Sequence, residues 1–407
     1  MHQEQGVKKF YLIRNQFIFF EYDENCEKSN KIGILHLDKI QDKTLKNYFN
    51  KPHRDEWNRH HYILAGKDPN DSCLYTINKY DELVKLICNL TRYDTTDNKC
   101  SFLVNPYLFG VIYANFKTID SKTRTYYSMD NGKNFLPIKF KTEVSACRET
   151  ECGVEMDLIC SNDFIKNHFP GKWIVQFEGT YQGKGSASHR IFISFTGGKG
   201  WKMLDSQVER LAILPNGWLM FGTERFTGRI WYSYNEGLTW HKEDVGADYF
   251  IDIIPLESPN NNIIAAINYN YHKSTFSVFT FDFSTVLSNL YLTPDRLCTN
   301  EDFEIWYELR YFGTCFQGRE ISYMKIKPAA MCVDNRNLIT RTVKECPCSF
   351  EDFHCKPYYH AQDNFCVLDP HSNHVEPATT CPDGLKALRI FNGYKISALI
   401  YFYSFRT

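Results

Sequence analysis

The fifteen cysteines are the residues of this sequence most able to form crosslinks or bind metal, and they are unevenly distributed. Seven lie in the first 297 residues, and eight lie in the 84 residues from Cys298 to Cys381. At about 9.5% cysteine, this stretch has the density of a disulfide-crosslinked extracellular module. A reducing cytosol would not maintain such crosslinks, so the composition predicts a protein of the secretory pathway.

Thiolates in the same stretch could instead bind zinc. Cys346, Cys348 and Cys355 are close enough in sequence to supply three ligands. Structural zinc sites usually contain two Cys-x-x-Cys knuckles, which this stretch lacks. The adjacent His60 and His61 do not form a ligand pair, because neighbours on a strand point to opposite faces. We therefore favour disulfides and expect no metal and no cofactor, with zinc as the alternative.

A segment built around a serine occurs three times and predicts the elements that surround these cysteines. Each copy is a short β-rich run followed by Ser-x-Asx-x-Gly-x-x-aromatic, with Thr196 at the Asx position of the second copy. Asp or Asn can bond the backbone amides of a tight bend, and glycine supplies positive φ. The closing aromatic residue is expected to pack between neighbouring sheets, which contributes roughly 2–3 kcal/mol. The predicted turn residues are Ser128, Asp130, Gly132 and Phe135; Ser194, Gly198 and Trp201; and Ser233, Asn235, Gly237 and Trp240.

This repeat resembles the Asp-box, which lies on the outer rim of β-propeller blades in proteins that carry it. The second and third serines are 39 residues apart, close to the ~40–50 residues of one four-stranded blade. Aromatic residues make up 16% of the chain and favour strands. We expect hairpins over residues 9–20, 210–221 and 249–269, and one short helix over residues 81–90. The sequence predicts an all-β fold in which residues 1–297 form about five to six blades.

Catalysis is a second alternative, because sialidases also carry Asp-boxes on propellers. Such a glycoside hydrolase needs a carboxylate-binding arginine cluster, a Tyr–Glu nucleophile pair and an acid Asp. The Phe/Tyr-Arg-Ile-Pro start typical of sialidases is missing. The sequence also contains no Gly-x-Ser-x-Gly elbow, phosphate loop or Rossmann fingerprint. We therefore expect no enzyme and name no catalytic residue.

The net charge and the sorting signals limit which partners and which cellular compartment are compatible with the sequence. The 47 basic and 48 acidic residues give a net charge of -1, which argues against nucleic acid and anionic membranes as partners. The glycosylation triplets at Asn70 and Asn89 are compatible with the secretory pathway. The sequence opens without a signal peptide and has no apolar stretch of about 20 residues. We expect an incomplete stretch of a longer secreted or membrane-anchored protein, attached to membrane only through a segment outside this sequence.

Two motifs in the cysteine-rich stretch carry a family resemblance. The first is Cys298 followed by Asp-Phe-Glu-x-Trp, and the second is Cys-Pro-Cys-x-x-x-Asp-Phe-x-Cys, which ends at Cys355. With the Asp-boxes before them, these motifs make residues 7–396 resemble the sortilin family of sorting receptors, whose luminal domain is named for vacuolar protein sorting. The resemblance implies a ten-bladed propeller joined to a module of ten cysteines. It divides this chain into a partial propeller at 1–297, a truncated cysteine module at 298–396 and a divergent tail at 397–407.

The resemblance also implies a pairing order for the cysteines. The fifth and eighth cysteines of the module, Cys348 and Cys381, would lack their partners, because a ninth and a tenth are absent. No pairing follows for Cys26, Cys73, Cys88, Cys100 and Cys160. The implied disulfides are Cys298–Cys332, Cys315–Cys346 and Cys355–Cys366 in the module and Cys147–Cys152 in the propeller.

The function implied by the resemblance is that of a luminal ligand-binding region of a sorting receptor. Such receptors bind peptide or protein cargo, including propeptides, neuropeptides and lysosomal enzymes, for transport from the Golgi to endosomes or lysosomes. The expected location is the lumen of these compartments, or the cell-surface side of a type I membrane protein. The thirteen histidines make release of cargo on acidification a hypothesis. A non-functional or decoy receptor fragment is the third alternative.

Overall fold

The structure is a computed structural model, and its described elements are β-strands, turns and one short 3-10 helix at Asn300–Asp302. The chain divides into two compact units, Met1–Arg92 with Ser397–Thr407, and Tyr93–Ile396. The residues that the structure describes are 7–13, 16–22, 30–36, 62–65, 72–77, 83–91, 93, 99–118, 122–139, 153–159, 167–183, 186–214, 219–256, 263–283, 297–308, 310–311, 313–328, 330, 332, 341–347, 352–355, 359–362, 365–368 and 394–396.

The first unit contains two antiparallel sheets of three strands each. They are β1 (Val7–Ile13), β2 (Gln16–Tyr22) and β3 (Asn30–His36), and β4 (Tyr62–Ala65), β5 (Cys73–Ile77) and β6 (Leu83–Ile87). The predicted first hairpin is present, with Ile13 opposite Gln16. The predicted helix over 81–90 is wrong, because this segment forms β6 and pairs with β5, with Leu74 opposite Ile87. A disulfide between Cys73 and Cys88 holds the end of that pair.

The second unit begins with four antiparallel sheets in which the strands follow their order in the sequence. The third strand of each four-stranded sheet ends at one of the three predicted serines. The strands are β7 (Phe102–Val104), β8 (Ile112–Lys117), β9 (Thr123–Ser128) and β10 (Leu136–Pro137); β11 (Gly153–Met156), β12 (Val175–Gly183), β13 (Ser186–Ser194) and β14 (Lys202–Met203); β15 (Val208–Ile213), β16 (Met220–Glu224), β17 (Gly228–Ser233) and β18 (His241–Ala247); and β19 (Phe250–Pro255), β20 (Ile263–Asn270) and β21 (Thr275–Asp282).

Aromatic side chains fill the space between consecutive sheets of this unit. Tyr113 on β8 lies edge-on to Phe177 on β12, with ring centroids 5.1 Å apart. In the last pair of sheets, Phe221 on β16 packs against Phe281 on β21 at 4.9 Å. The first strands β15 and β19 lie side by side. Successive meander sheets that pack face to face through aromatic side chains give an all-β, propeller-like fold.

The remaining strands belong to the cysteine-rich stretch. A four-stranded antiparallel sheet contains β22 (Phe303–Tyr307), β23 (Cys315–Phe316), β24 (Arg319–Ile326) and β25 (Arg341–Glu345). Two strand pairs follow, β26 (Phe353–Cys355) with β29 (Tyr394–Ile396), and β27 (Tyr359–Gln362) with β28 (Phe365–Leu368). The same compact unit thus holds the later sheets and the cysteine-rich sheet, and the boundary at 297/298 stays a prediction.

Candidate ligand-binding site

The three serine-centred turns share one hydrogen-bond pattern. In the first turn, Ser128 Oγ donates to Asp130 Oδ1 at 2.8 Å and accepts the Gly132 amide at 2.8 Å. Asp130 in turn accepts the backbone and side-chain amides of Asn134 at 2.9 and 2.7 Å. Burial raises the pKa of Asp130, and the hydrogen bonds from Asn134 and Ser128 oppose that shift. The pattern explains the Ser-x-Asx-x-Gly spacing, since each polar atom meets an amide two or four residues ahead.

The second and third turns repeat these bonds with different residues. Ser194 Oγ accepts the Gly198 amide at 2.9 Å, and Thr196 Oγ1 accepts the Gly200 amide at 2.8 Å. Ser233 Oγ likewise accepts the Gly237 amide at 3.0 Å. The glycine has positive φ in every copy, at 83°, 103° and 72°. A threonine hydroxyl can therefore replace the Asx oxygen without changing the turn.

The aromatic residue that closes each turn lies against other rings. Trp201 is buried, donates its indole N–H to the Gly198 carbonyl at 2.8 Å, and lies 6.1 Å from both Tyr113 and Phe177. It therefore packs between two sheets. Phe135 contacts Phe116 at 5.3 Å, and Trp240 contacts Trp231 at 6.0 Å, both within their own sheets.

The cysteine-rich sheet binds the first Asp-box turn through two residues that follow β22. The buried Arg310 guanidinium donates to the Phe109 carbonyl at 2.8 Å and to Glu308 Oε2 at 3.0 Å. The Tyr311 hydroxyl lies 3.1 Å from the carbonyls of both Tyr127 and Asn134, which share its single hydrogen, and it accepts the Met129 amide at 3.2 Å. Arg310 Nη1 also lies 3.4 Å from the Met129 carbonyl. These contacts fix the cysteine-rich sheet to the loop between β7 and β8 and to the turn between β9 and β10.

Lys325 makes the corresponding contact with the other two Asp-box turns. Its buried ammonium lies 2.9 Å from Glu236 Oε1 in the third turn and donates to the Phe195 carbonyl in the second turn at 3.3 Å. Glu304 on β22 lies 3.5 Å from the same nitrogen. Nearby, the Trp306 ring packs 5.9 Å from Trp173. The cysteine-rich sheet is therefore joined to all three Asp-box turns.

The described part of the chain contains the disulfides Cys73–Cys88, Cys298–Cys332 and Cys315–Cys346. Cys100 is also disulfide-bonded. Because Cys346 is bonded to Cys315, it is not a free thiolate for the zinc alternative, and the described residues contain no cluster that could hold a metal ion. Cys355 and Cys366 lie in β26 and β28, and their pairing stays a prediction. Outside the described residues lie Cys26, Cys147, Cys152, Cys160, Cys348 and Cys381.

Of the two predicted glycosylation sites, Asn89 lies within the described residues and Asn70 lies outside them. Asn89 is exposed, has a φ of 66°, and directly follows the disulfide-bonded Cys88. The next residue, Leu90, is buried and donates its amide to the Ser72 carbonyl at 3.1 Å. The acceptor asparagine thus points away from an anchored segment, and its glycosylation remains a prediction.

The first strands present charged groups and free backbone edges. In the described sheets, β15 and β19 each have a hydrogen-bonded neighbour on one side only. Arg210 Nη1 on β15 lies 3.8 Å from Asp252 Oδ1 on β19. After β11, Asp157 lies 2.7 Å from Lys99 Nζ and 3.4 Å from His189 Nε2. An edge strand beside polar side chains can pair with an extended peptide.

His168, which precedes β12, is a buried polar group that can respond to acid. Its Nε2 accepts the Ile159 amide at 3.3 Å, which leaves Nδ1 to donate to the Gln176 carbonyl at 3.1 Å. The Phe177 ring lies 4.7 Å away. Burial lowers the pKa of His168, so the folded protein favours the neutral ring.

Sequence reasoning missed Arg310, Tyr311 and Lys325, the residues that join the cysteine-rich sheet to the turns. The available signal was a charged residue inside an otherwise strand-like run, as at Lys325 within β24. Such a residue is rarely fully buried unless it is paired. Their partners outside the cysteine-rich stretch lie more than 85 residues away in sequence, so the identity of those partners could not be inferred from spacing.

A family model and several related proteins resemble this chain, and they carry the names sortilin or vacuolar protein sorting/targeting protein 10. Residues 255–398 match the family model described as sortilin, neurotensin receptor 3, C-terminal. The chain is 31% identical over 177 residues to the vacuolar protein sorting/targeting protein 10 of Schizosaccharomyces japonicus. This match covers 40% of this chain and 12% of that protein. The chain is 23% identical over 339 residues to sortilin of Danio rerio, covering 74% of this chain and 40% of that protein. The chain therefore spans well under two thirds of these relatives.

Solved structures with detectable similarity include the β-propeller domain of the Trilobed protease from Pyrococcus furiosus, with a TM-score of 0.29 and 8% identity. That match covers 84% of this chain and 97% of the other. A Trypanosoma rangeli sialidase has a TM-score of 0.20 and 12% identity over 83% of this chain and 54% of the sialidase. TM-scores this low support no argument about function.

Proposed function

Because the chain belongs to the sortilin and Vps10 family, we propose that it is the luminal ligand-binding region of a sorting receptor. In this proposal it binds peptide or protein cargo, such as propeptides, neuropeptides or lysosomal enzymes, for transport from the Golgi to endosomes or lysosomes. It catalyses no reaction. Among the described residues, no helix is long and apolar enough to cross a membrane.

The observation that carries the proposal is how the cysteine-rich sheet is attached. Arg310, Tyr311 and Lys325 join this sheet to the Asp-box turns, which lie beyond the third strands of their sheets. The first strands β15 and β19 are not used by that attachment and retain free backbone edges in the described sheets. We expect cargo to add as an extended strand there, close to Arg210 and Asp252.

Acid-dependent release follows as part of the same proposal. Endosomal pH crosses the range in which histidine titrates. The buried His168 precedes β12 and contacts the Gln176 carbonyl of that strand, in the sheet next to the one that contains β15. Protonation of His168 would place two N–H groups against the Ile159 amide and the Gln176 carbonyl, and only the carbonyl can accept.

The test is binding of a labelled propeptide to the full chain, secreted behind an added signal sequence with its disulfides intact. We expect saturable binding at pH 7.4 that weakens at pH 5.5 and disappears after reduction. Arg210→Glu and Asp252→Lys should each weaken binding, while Lys242→Glu on the outer strand β18 should not. Absence of binding by any propeptide or neuropeptide tested, or cleavage of a sialoside substrate, would contradict the proposal. Equal binding at both pH values would contradict only the acid-release part of the proposal and would leave cargo binding itself intact.

A further inference from the structure

A row of five aromatic rings crosses the turns of the last two sheets and passes the start of β19 at Tyr249. It starts at Phe226 in the turn between β16 and β17 and ends at Phe276 at the start of β21. Consecutive ring centroids are 6.2, 5.8, 4.9 and 4.9 Å apart. In order, the row contains Phe226, Tyr249, Tyr271, Tyr269 and Phe276, and it is called the aromatic row below.

The aromatic row is exposed to solvent. Phe226 is 77% exposed, Tyr271 is 61% exposed and Phe276 is 67% exposed. Contiguous exposed rings mark interaction surfaces, because aromatic residues contribute most to the core of protein interfaces. The core of the second unit is formed by other rings, so packing within the fold does not account for these three.

The backbone at Phe226 provides an independent sign of function. Its φ of 59° lies in the left-handed region, which is unfavourable for a bulky side chain and natural for glycine. Since the ring is exposed, no burial offsets that strain. Strained positions that persist without a packing benefit are concentrated at binding sites.

Negative charge borders the Phe226 end of the aromatic row. Glu209 Oε1 accepts the Tyr249 hydroxyl at 3.2 Å, and the buried Oε2 has no hydrogen-bond partner among the described residues. The exposed Asp248 precedes Tyr249. Arg225 shows how a cation sits here, with its guanidinium 5.8 Å from the centre of the Phe226 ring and Nε 3.9 Å from Glu209 Oε1. At the opposite end, Lys273 is exposed, so the negative border is confined to one end.

We propose that the aromatic row docks an extended peptide segment in which an arginine or lysine is followed by apolar or aromatic residues. The basic side chain lies over the stacked Phe226 and Tyr249 rings and pairs with the Glu209 carboxylate, whose side chain is 20% exposed. The apolar residues lie on Tyr271, Tyr269 and Phe276. The four ring-to-ring steps accommodate at most about six extended residues at roughly 3.3 Å per residue. This surface goes beyond the proposed function and does not depend on cargo binding at β15 and β19.

The test uses the secreted full chain and a fluorescent hexapeptide with both ends capped, containing one arginine followed by alternating leucine and phenylalanine. The same peptide with citrulline in place of arginine is the neutral counterpart. We expect the arginine peptide to bind about tenfold more tightly, the difference produced by one charge-assisted hydrogen bond. Glu209→Gln should remove that preference, because the amide keeps the Tyr249 bond without the charge.

Phe226→Gly separates binding from folding. Glycine adopts the φ of 59° without strain, so the variant should unfold at an equal or higher temperature and bind the arginine peptide about tenfold more weakly. Tyr107→Ser changes an exposed ring outside the aromatic row and should leave binding unchanged. Equal binding of the two peptides to the unmodified chain, or full binding by a Phe226→Gly, Phe276→Ser double variant, would overturn the proposal. The proposal would also be overturned if sedimentation showed that the chain is a dimer and that Phe276→Ser dissociates it, since a second copy of the chain would then occupy the aromatic row.

Discussion

Replacing Lys325 with methionine removes the ammonium that joins the cysteine-rich sheet to two Asp-box turns. Methionine keeps most of the length and volume of the side chain, so little cavity is formed. The variant leaves Glu236, whose side chain is 16% exposed, without its cation, and leaves the Phe195 carbonyl without its donor. Glu304 loses a partner too, but it is 44% exposed and remains hydrated.

The expected loss follows from the burial of the pair. Removing one partner of a buried ion pair costs about 3–5 kcal/mol, because the other charge remains desolvated. The exposed contact with Glu304 adds at most about 1 kcal/mol. We expect Lys325→Met to lower the free energy of unfolding by about 3 kcal/mol, or roughly 150-fold in the equilibrium constant. The Lys325→Met, Glu236→Met double variant should recover part of this loss, since no unpaired charge remains at that position.

The assay is urea unfolding of the secreted full chain without reductant, followed by tryptophan fluorescence. Trp306 and Trp173 lie across the attachment and report on its separation. Lys242→Met is the matched control, because that exposed lysine lies 3.5 Å from the centre of the Trp231 ring and should contribute only about 0.5–1 kcal/mol. A loss below 1 kcal/mol for Lys325→Met, or strict additivity in the double variant, would refute the reasoning.

Three further predictions concern the turns, the buried histidine and the disulfides. Asp130→Ala should cost roughly 1–3 kcal/mol in urea unfolding, because it leaves both Asn134 amides unpaired. Asp130→Asn should cost less, because its Oδ1 can still accept the Asn134 backbone amide, as Asn235 Oδ1 accepts that of Thr239, and only the bond from the Asn134 side chain is lost; equal losses would contradict this. The pKa of His168 is lowered on folding, so the unfolded chain binds the proton first, and stability should fall as pH drops below 6.5. His168→Gln should flatten that pH dependence, and an unchanged slope would assign it to other groups. Cys298→Ser should cost about 2–5 kcal/mol or prevent secretion, and secretion at unchanged stability would argue against a structural role for the bond.

The Asp-box turns could be predicted because every bond in them is local. Ser128 and Asp130 bond groups within four residues, and the left-handed glycine is needed at a fixed position. The helix predicted over 81–90 was wrong for the opposite reason. Pairing with β5 and the disulfide to Cys73 determine the conformation of β6, and both come from residues outside the segment. Local propensity cannot report such pairing.

The attachment of the cysteine-rich sheet could not be predicted for the same physical reason. Arg310 and Phe109 are 201 residues apart, and Lys325 and Phe195 are 130 residues apart. A sequence shows that an arginine follows a strand, but it does not show which carbonyl the arginine will meet. The residues that attach the cysteine-rich sheet to the other sheets could therefore be identified only from the three-dimensional structure.

The buried charges and the disulfides of the cysteine-rich stretch depend on one another. A buried ammonium or guanidinium repays its desolvation only where its partners are held in good geometry. The sheet that carries Lys325 is crosslinked by Cys315–Cys346, and the loop that contains Arg310 lies between Cys298 and Cys332. Reduction would let these segments move, and each cation would then lose several partners at once. The three Asp-box contacts should therefore fail together, in one cooperative step, when the disulfides are reduced under native conditions.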